Sequence, residues 1–153
     1  MKYAMQLILV FAVACTKSET PREEDFTVTV RAMDETLKIN KEIELVAELI
    51  NKSKSSVKIL HASPLIQVQI YDDQNKPIVN TFITNDIGLI HTIKPDELYN
   101  PDSKTYNNGK RMIQIKEPGR YKLIGTASFS IELGNEKRKD FEVSSEPFEI
   151  TVE

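Results

Sequence analysis

The stretch from Pro118 to Leu133 constrains this chain more than any other. From Tyr121 to Leu133 every odd position is apolar or glycine, and the even positions are polar apart from Ile124. Period two over such a length is the pattern of a half-buried strand, one face on a core and the other toward water. Pro118-Gly119 just before it is a turn signal. A long central strand entered through Pro-Gly, with a tyrosine two residues after the glycine, suits an antiparallel β-sandwich.

The rest of the chain repeats the pattern in shorter pieces. Phe26, Val28, Val30 and Ala32 alternate with polar residues, then Ile43, Leu45, Ala47 and Leu49 do the same. A polar turn at residues 51–56 leads to a third strand at 57–60. Residues 65–71 alternate again, residues 72–77 read as a hairpin loop, and residues 78–84 return. A short apolar run at 89–93 ends in Lys94-Pro95-Asp96-Glu97. Residues 99–109 read as mostly loop, because Pro101, Asp102, Ser103 and Asn107-Asn108-Gly109 are turn formers. Met112, Ile113 and Ile115 make a further strand, and Phe141-Glu142-Val143 and residues 148–152 close the chain. No segment keeps a helical period. Short strands with turn signals between them predict an all-β, immunoglobulin-like antiparallel sandwich of about seven to nine strands. Its span is residues 26–153.

The start of the chain reads as an address. Lys2 is followed by an apolar run through Ala14, well short of the about 20 residues a membrane-spanning helix needs. A basic start, an apolar centre and small residues before a break predict a signal peptide over residues 1–14. Ala12-Val13-Ala14-Cys15 resembles the lipobox of bacterial lipoproteins. That resemblance implies cleavage before Cys15 and lipidation of its sulfur, with Ala12 standing where the family usually has leucine. Thr16 to Asp25 holds no apolar residue except Pro21, so residues 15–25 are expected to be the lipidated cysteine and a flexible tether. Two or more acyl chains anchor a protein stably, at about 0.8 kcal/mol per buried methylene. The expected location is the cell envelope, on the extracytoplasmic side of a bacterial membrane.

Four turn motifs carry a second resemblance: Asn51-Lys52-Ser53, residues 71–76 (Tyr71-Asp72-Asp73-Gln74-Asn75-Lys76), Ile93-Lys94-Pro95-Asp96-Glu97 and Glu117-Pro118-Gly119-Arg120-Tyr121. Their order is similar to the small domain of the BsuPI-type proteinase inhibitors, and more broadly to bacterial immunoglobulin-like modules. The resemblance implies the sandwich fold and, as the alternative function, inhibition of an extracytoplasmic serine protease. Residues 99–109 would then be the inhibitory loop. In immunoglobulin-like domains a tyrosine soon after a turn often bonds back to loop backbone, the tyrosine corner, and Tyr121 fits that position.

The chemistry sought elsewhere is sparse. His61 and His91 are the only histidines, and neither has a cysteine or histidine at metal-ligand spacing. Met33 and Met112 are expected to pack rather than bind copper. Asp72-Asp73, Asp96-Glu97 and Asp102 could offer oxygens to calcium, yet lack the EF-hand pattern and read as solvated turns. Asn51-Lys52-Ser53 matches a glycosylation acceptor formally and reads as turn chemistry. No phosphate-binding glycine loop and no G-x-S-x-G motif is present. A net charge of -3 argues against a nucleic-acid partner. The expectation is a non-enzymatic lipoprotein without cofactor or metal, binding an envelope or extracellular protein.

Overall fold

The computed structural model describes residues 20–34, 37–78, 85–104, 110–134 and 137–153. The first 19 residues, with the expected signal, Cys15 and the first part of the tether, lie outside the described residues. The strands are β1 (Phe26–Ala32), β2 (Glu42–Asn51), β3 (Val57–Tyr71), β4 (Pro77–Ile78) and β5 (Asn85–Ile93). They continue with β6 (Leu98–Tyr99), β7 (Arg111–Gln114), β8 (Gly119–Glu132), β9 (Arg138–Ser144) and β10 (Phe148–Val152). Short 3-10 turns stand at Glu23–Asp25 and Pro101–Lys104. Among the described residues no helix is long and apolar enough to cross a membrane.

β8 is the axis of the larger sheet. It runs antiparallel to β3 along most of its length, from Tyr71↔Lys122 to Ile59↔Ile131. On its other edge β10 pairs with the first half and β9 with the second. Ser145 covers the changeover: its amide donates to Gly125 O and its hydroxyl accepts from Gly125 N. On the far side of β3, β5 pairs with the first half and β4 with the last two residues. The smaller sheet is β1 against β2, with β7 and β6 pairing with the two ends of β2. The architecture is an all-β, immunoglobulin-like sandwich of two antiparallel sheets.

Period two decides which residues fill the space between the sheets. Tyr121, Leu123, Ala127, Phe129 and Ile131 are buried along β8, and Ser128 is exposed. Leu133, the last apolar residue of the alternation, lies past the strand end and is exposed. The sheets pack tightly at Gly125, where a Cβ would stand 2.5 Å from Val30 Cγ2 on β1. Glycine is required there for clearance. Phe129 meets Phe26 edge-on at 5.0 Å and stacks on Phe141 at 5.3 Å, one aromatic cluster spanning both sheets. The C-terminus is tied in by Leu37, which bridges to Val152 while Glu153 N donates to Leu37 O.

One expectation about the strands is corrected. Residues 57–60 and 65–71 form one 15-residue strand, not two. Ser63-Pro64 stands between the two stretches, and proline cannot donate to a ladder. The chain instead absorbs it as an irregularity: the peptide is cis, and the register against β8 shifts between His61 and Ile66. Within residues 99–109, Tyr99 pairs with Leu49 in β6 and Pro101–Lys104 is a 3-10 turn. The remaining five residues of that stretch, and the expected strand residues 79–84, lie outside the described residues.

Candidate functional site

The polar chemistry of the domain collects where β3, β5 and β6 meet. Alternation along Val57, Ile59 and His61 turns His61 inward, and it is 3% exposed. Its Nδ1 lies 2.7 Å from Ala62 O and its Nε2 3.0 Å from Tyr99 Oη. A carbonyl can only accept, so Nδ1 carries the proton and donates; neutral Nε2 then accepts from the phenol. His91 stacks on the other face of Tyr99, rings 4.0 Å apart and 3° from parallel. His91 Nε2 meets Glu97 Oε1 at 2.9 Å, and Glu97 Oε2 accepts from Lys94 N. The Lys94-Pro95-Asp96-Glu97 turn makes this geometry possible, with Asp96 in the left-handed region at φ 56° after the proline.

The electrostatics follow from these contacts. Burial pushes the Tyr99 phenol up to about 12, with the nearby Asp102 and Glu97 charges adding to the effect. The backbone donor at Lys94 holds the Glu97 carboxyl below its ordinary range, helped by His91. Two imidazoles, a phenol and a carboxylate therefore satisfy one another. The arrangement joins a strand of each sheet and supplies aromatic packing; its nitrogen atoms at His61 are both engaged internally.

Below this cluster lies a buried ion pair. Asp102 is 1% exposed and accepts from Leu65 N at 2.7 Å and Ile66 N at 2.9 Å. Arg111 Nη2 lies 3.2 Å from the same carboxylate and donates to Ile66 O at 2.8 Å. Leu65 lies in the register shift of β3 and Ile66 is where the pairing with β8 resumes, and Asp102 supplies both amides with an acceptor. Arg111 reaches them from the opposite sheet. Asp102 is thus no solvated turn residue, contrary to expectation; the fold buries it because the irregular strand needs a carboxylate.

The other candidate residues fall in separate places. Asp72 Oδ1 accepts from Gln74 N and Lys76 N inside the β3–β4 turn, and Asp96 meets Lys52 Nζ at 3.0 Å on the surface. No group of three or more metal-ligating side chains occurs among the described residues. Asn51 is fully buried: its Nδ2 donates to Ser55 O and Ile93 O, and its Oδ1 accepts from Ser53 N and Ser53 Oγ. It ties the end of β2 to the end of β5 and so links the two sheets. Tyr121 Oη donates to Glu117 O at 2.8 Å, holding the Pro118-Gly119 turn against β8. Met33 and Met112 are exposed, so the packing expected of them is absent. Met33 follows the end of β1, and Met112 takes an exposed position of β7.

Sequence reasoning passed over Tyr99 and Arg111. Arg111 left a signal, since it shares the odd positions of Ile113 and Ile115 and so an inward direction. Tyr99 left none, because a two-residue strand has no measurable period.

No family model and no curated protein matches the chain. The structural-genomics target SoR45, known from an X-ray structure, is similar in fold: TM-score 0.52 at 16% identity, covering 86% of this chain and 90% of that one. The CARDB domain of the PF1109 protein from Pyrococcus furiosus, crystallised in complex with di-metal ions, is more distant, with TM-score 0.43, 14% identity and coverage of 84% and 92%. The sporulation control protein Spo0M of Bacillus subtilis gives TM-score 0.44 at 16% identity, covering 84% of this chain and 49% of that one. At 16% identity the likeness to SoR45 is one of fold alone.

Proposed function

We propose that the chain is a membrane-anchored lipoprotein of the bacterial cell envelope whose sandwich acts as a non-enzymatic, protein-binding module. The observation that carries this reading is the order of the first 25 residues: a lysine, an apolar run, Ala12-Val13-Ala14-Cys15, and then an abruptly polar segment. That order supports a lipid-bearing cysteine and a spacer ahead of the domain; among the described residues, Pro21 already touches the sandwich, its carbonyl accepting from Lys139 Nζ. The sandwich is consistent with a binding role. β5 has no described strand on its outer edge and carries exposed Leu89 and Ile90, the kind of edge that accepts a partner. The titratable groups that converge, His61, Tyr99, His91 and Glu97, are engaged with one another.

Inhibition of a serine protease, implied by the BsuPI-like order of turns, is less well supported by the geometry. The first part of residues 99–109 is held down by the Tyr99 pairing and the Asp102 ion pair, where an inhibitory loop needs exposure. Metabolic labelling with an alkyne palmitate analogue tests the anchor. The reading requires label on the wild type and none on Cys15→Ser; equal labelling of both, or none on either, contradicts it.

A further inference from the structure

A shallow groove of about 530 Å³ crosses the outer face of the larger sheet. Its lining runs from Gly88 on β5, over Leu60 and Ala62 on β3 and Ser128 and Ser130 on β8, to Asp140 and Glu142 on β9. Small side chains lower the surface along this line. Chemistry changes from one end to the other. Leu60 and exposed Ile90 pair across β3 and β5, making the first end apolar. At the far end stand Asp140, Glu142 and Glu23. Among the described residues no ion pair joins any of these three carboxylates; Asp140 accepts only the Ser130 hydroxyl, at 2.7 Å. The nearby cations are committed elsewhere. Lys58 and Arg138 flank Glu132, and Lys139 lies over the Phe141 ring.

We infer that this groove receives a short, extended, basic segment of a partner protein, lying across the strands with an apolar side chain at β5 and lysine or arginine at β9. The inference rests on the protein-binding reading above and names the partner's chemistry. Charge complementarity selects the occupant: an acidic or anionic partner would meet uncompensated carboxylates, while a basic one neutralises them. Length follows from geometry. Crossing from β5 to β9 takes three strand spacings of about 4.8 Å, so about 14 Å, which four to five extended residues span. Serine hydroxyls at the middle of the groove suit backbone groups of such a segment.

Amide NMR of the full chain carrying Cys15→Ser provides the test, with a five-residue peptide of leucine, two serines and two arginines, blocked at both ends. Saturable shifts centred on Gly88, Ala62, Ser128 and Glu142 are expected. The peptide with glutamates in place of arginines should give none. The double variant Asp140→Asn with Glu142→Gln should bind the arginine peptide about tenfold more weakly, with a weaker salt dependence. Equal shifts from both peptides, or unchanged affinity in the double variant, would overturn the inference. So would spermidine matching the peptide in affinity, which would mark a simple cation site. If the peptide fails while the chain still co-purifies envelope proteins, the groove assignment falls and the protein-binding reading stands.

Discussion

Replacing Asp102 with alanine removes the acceptor for two backbone amides and the counter-charge of Arg111. The amides of Leu65 and Ile66 lie 2.7 and 2.9 Å from the carboxylate, in a region closed to water. Each buried donor left unpaired costs about 1–3 kcal/mol. Arg111 is 9% exposed, so its charge stays desolvated once the carboxylate is gone. Breaking one side of a buried pair costs about 3–5 kcal/mol, a large part of the 5–15 kcal/mol or so that holds a domain folded. Arg111→Met should cost less, about 1–3 kcal/mol, because Asp102 keeps both amide donors. The double variant should lose less than the sum of the two, with coupling of about 0.5–3 kcal/mol. Urea melts of the chain carrying Cys15→Ser measure all three, with the midpoint falling and the slope constant. A loss below about 0.5 kcal/mol for Asp102→Ala, the level of an ordinary surface change, would refute the reasoning. Strict additivity would show that the two side chains do not act on each other.

Further expectations concern the core and the titrating cluster. Gly125→Ala forces a methyl within 2.5 Å of Val30 Cγ2 and should cost about 1–3 kcal/mol; an unchanged melt would mean the sheets are further apart. Phe129→Ala should cost about 3–5 kcal/mol, and Ser128→Ala on the outer face about 0.5 kcal/mol or less; the reverse order in urea melts would shift the β8 register by one. Tyr99 ionises near 12 in the fold against an ordinary 10.0, so its neutral form stabilises the fold below pH 10 and that contribution fades between pH 10 and 12. Tyr99→Phe should therefore flatten the alkaline limb of stability against pH; an unaltered limb contradicts the cluster. Glu97 is held below its ordinary 4.5, so its contribution is present above that pH and fades as the medium becomes more acid, and Glu97→Gln should flatten the acid limb.

How much of this was legible in the sequence depends on range. The inward face of β8 was, because alternation over 14 residues is a local signal strong enough to fix register. The turns at Asn51, Asp72 and Tyr121 were also legible, since the hydrogen bonds that close them reach two to four residues along the chain, whereas the Asn51 bond to Ile93 O, 42 residues away, was not. The continuity of β3 through Pro64 was not. It depends on Asp102, which lies 36 and 37 residues away from the amides it satisfies. Local turn chemistry around Pro101 suggested solvent, and only the folded partner explains a buried carboxylate there. The histidine cluster was hidden for the same reason: His61 and Tyr99 are 38 residues apart and meet only when the sheets close.

Mass spectrometry of the N-terminal peptide of the mature protein, purified from its own membrane, tests the proposed function most directly. The prediction is a chain beginning at Cys15, with a diacylglyceryl thioether on its sulfur. A mature chain that begins at Met1, or one that begins at Cys15 with a free thiol, would contradict it.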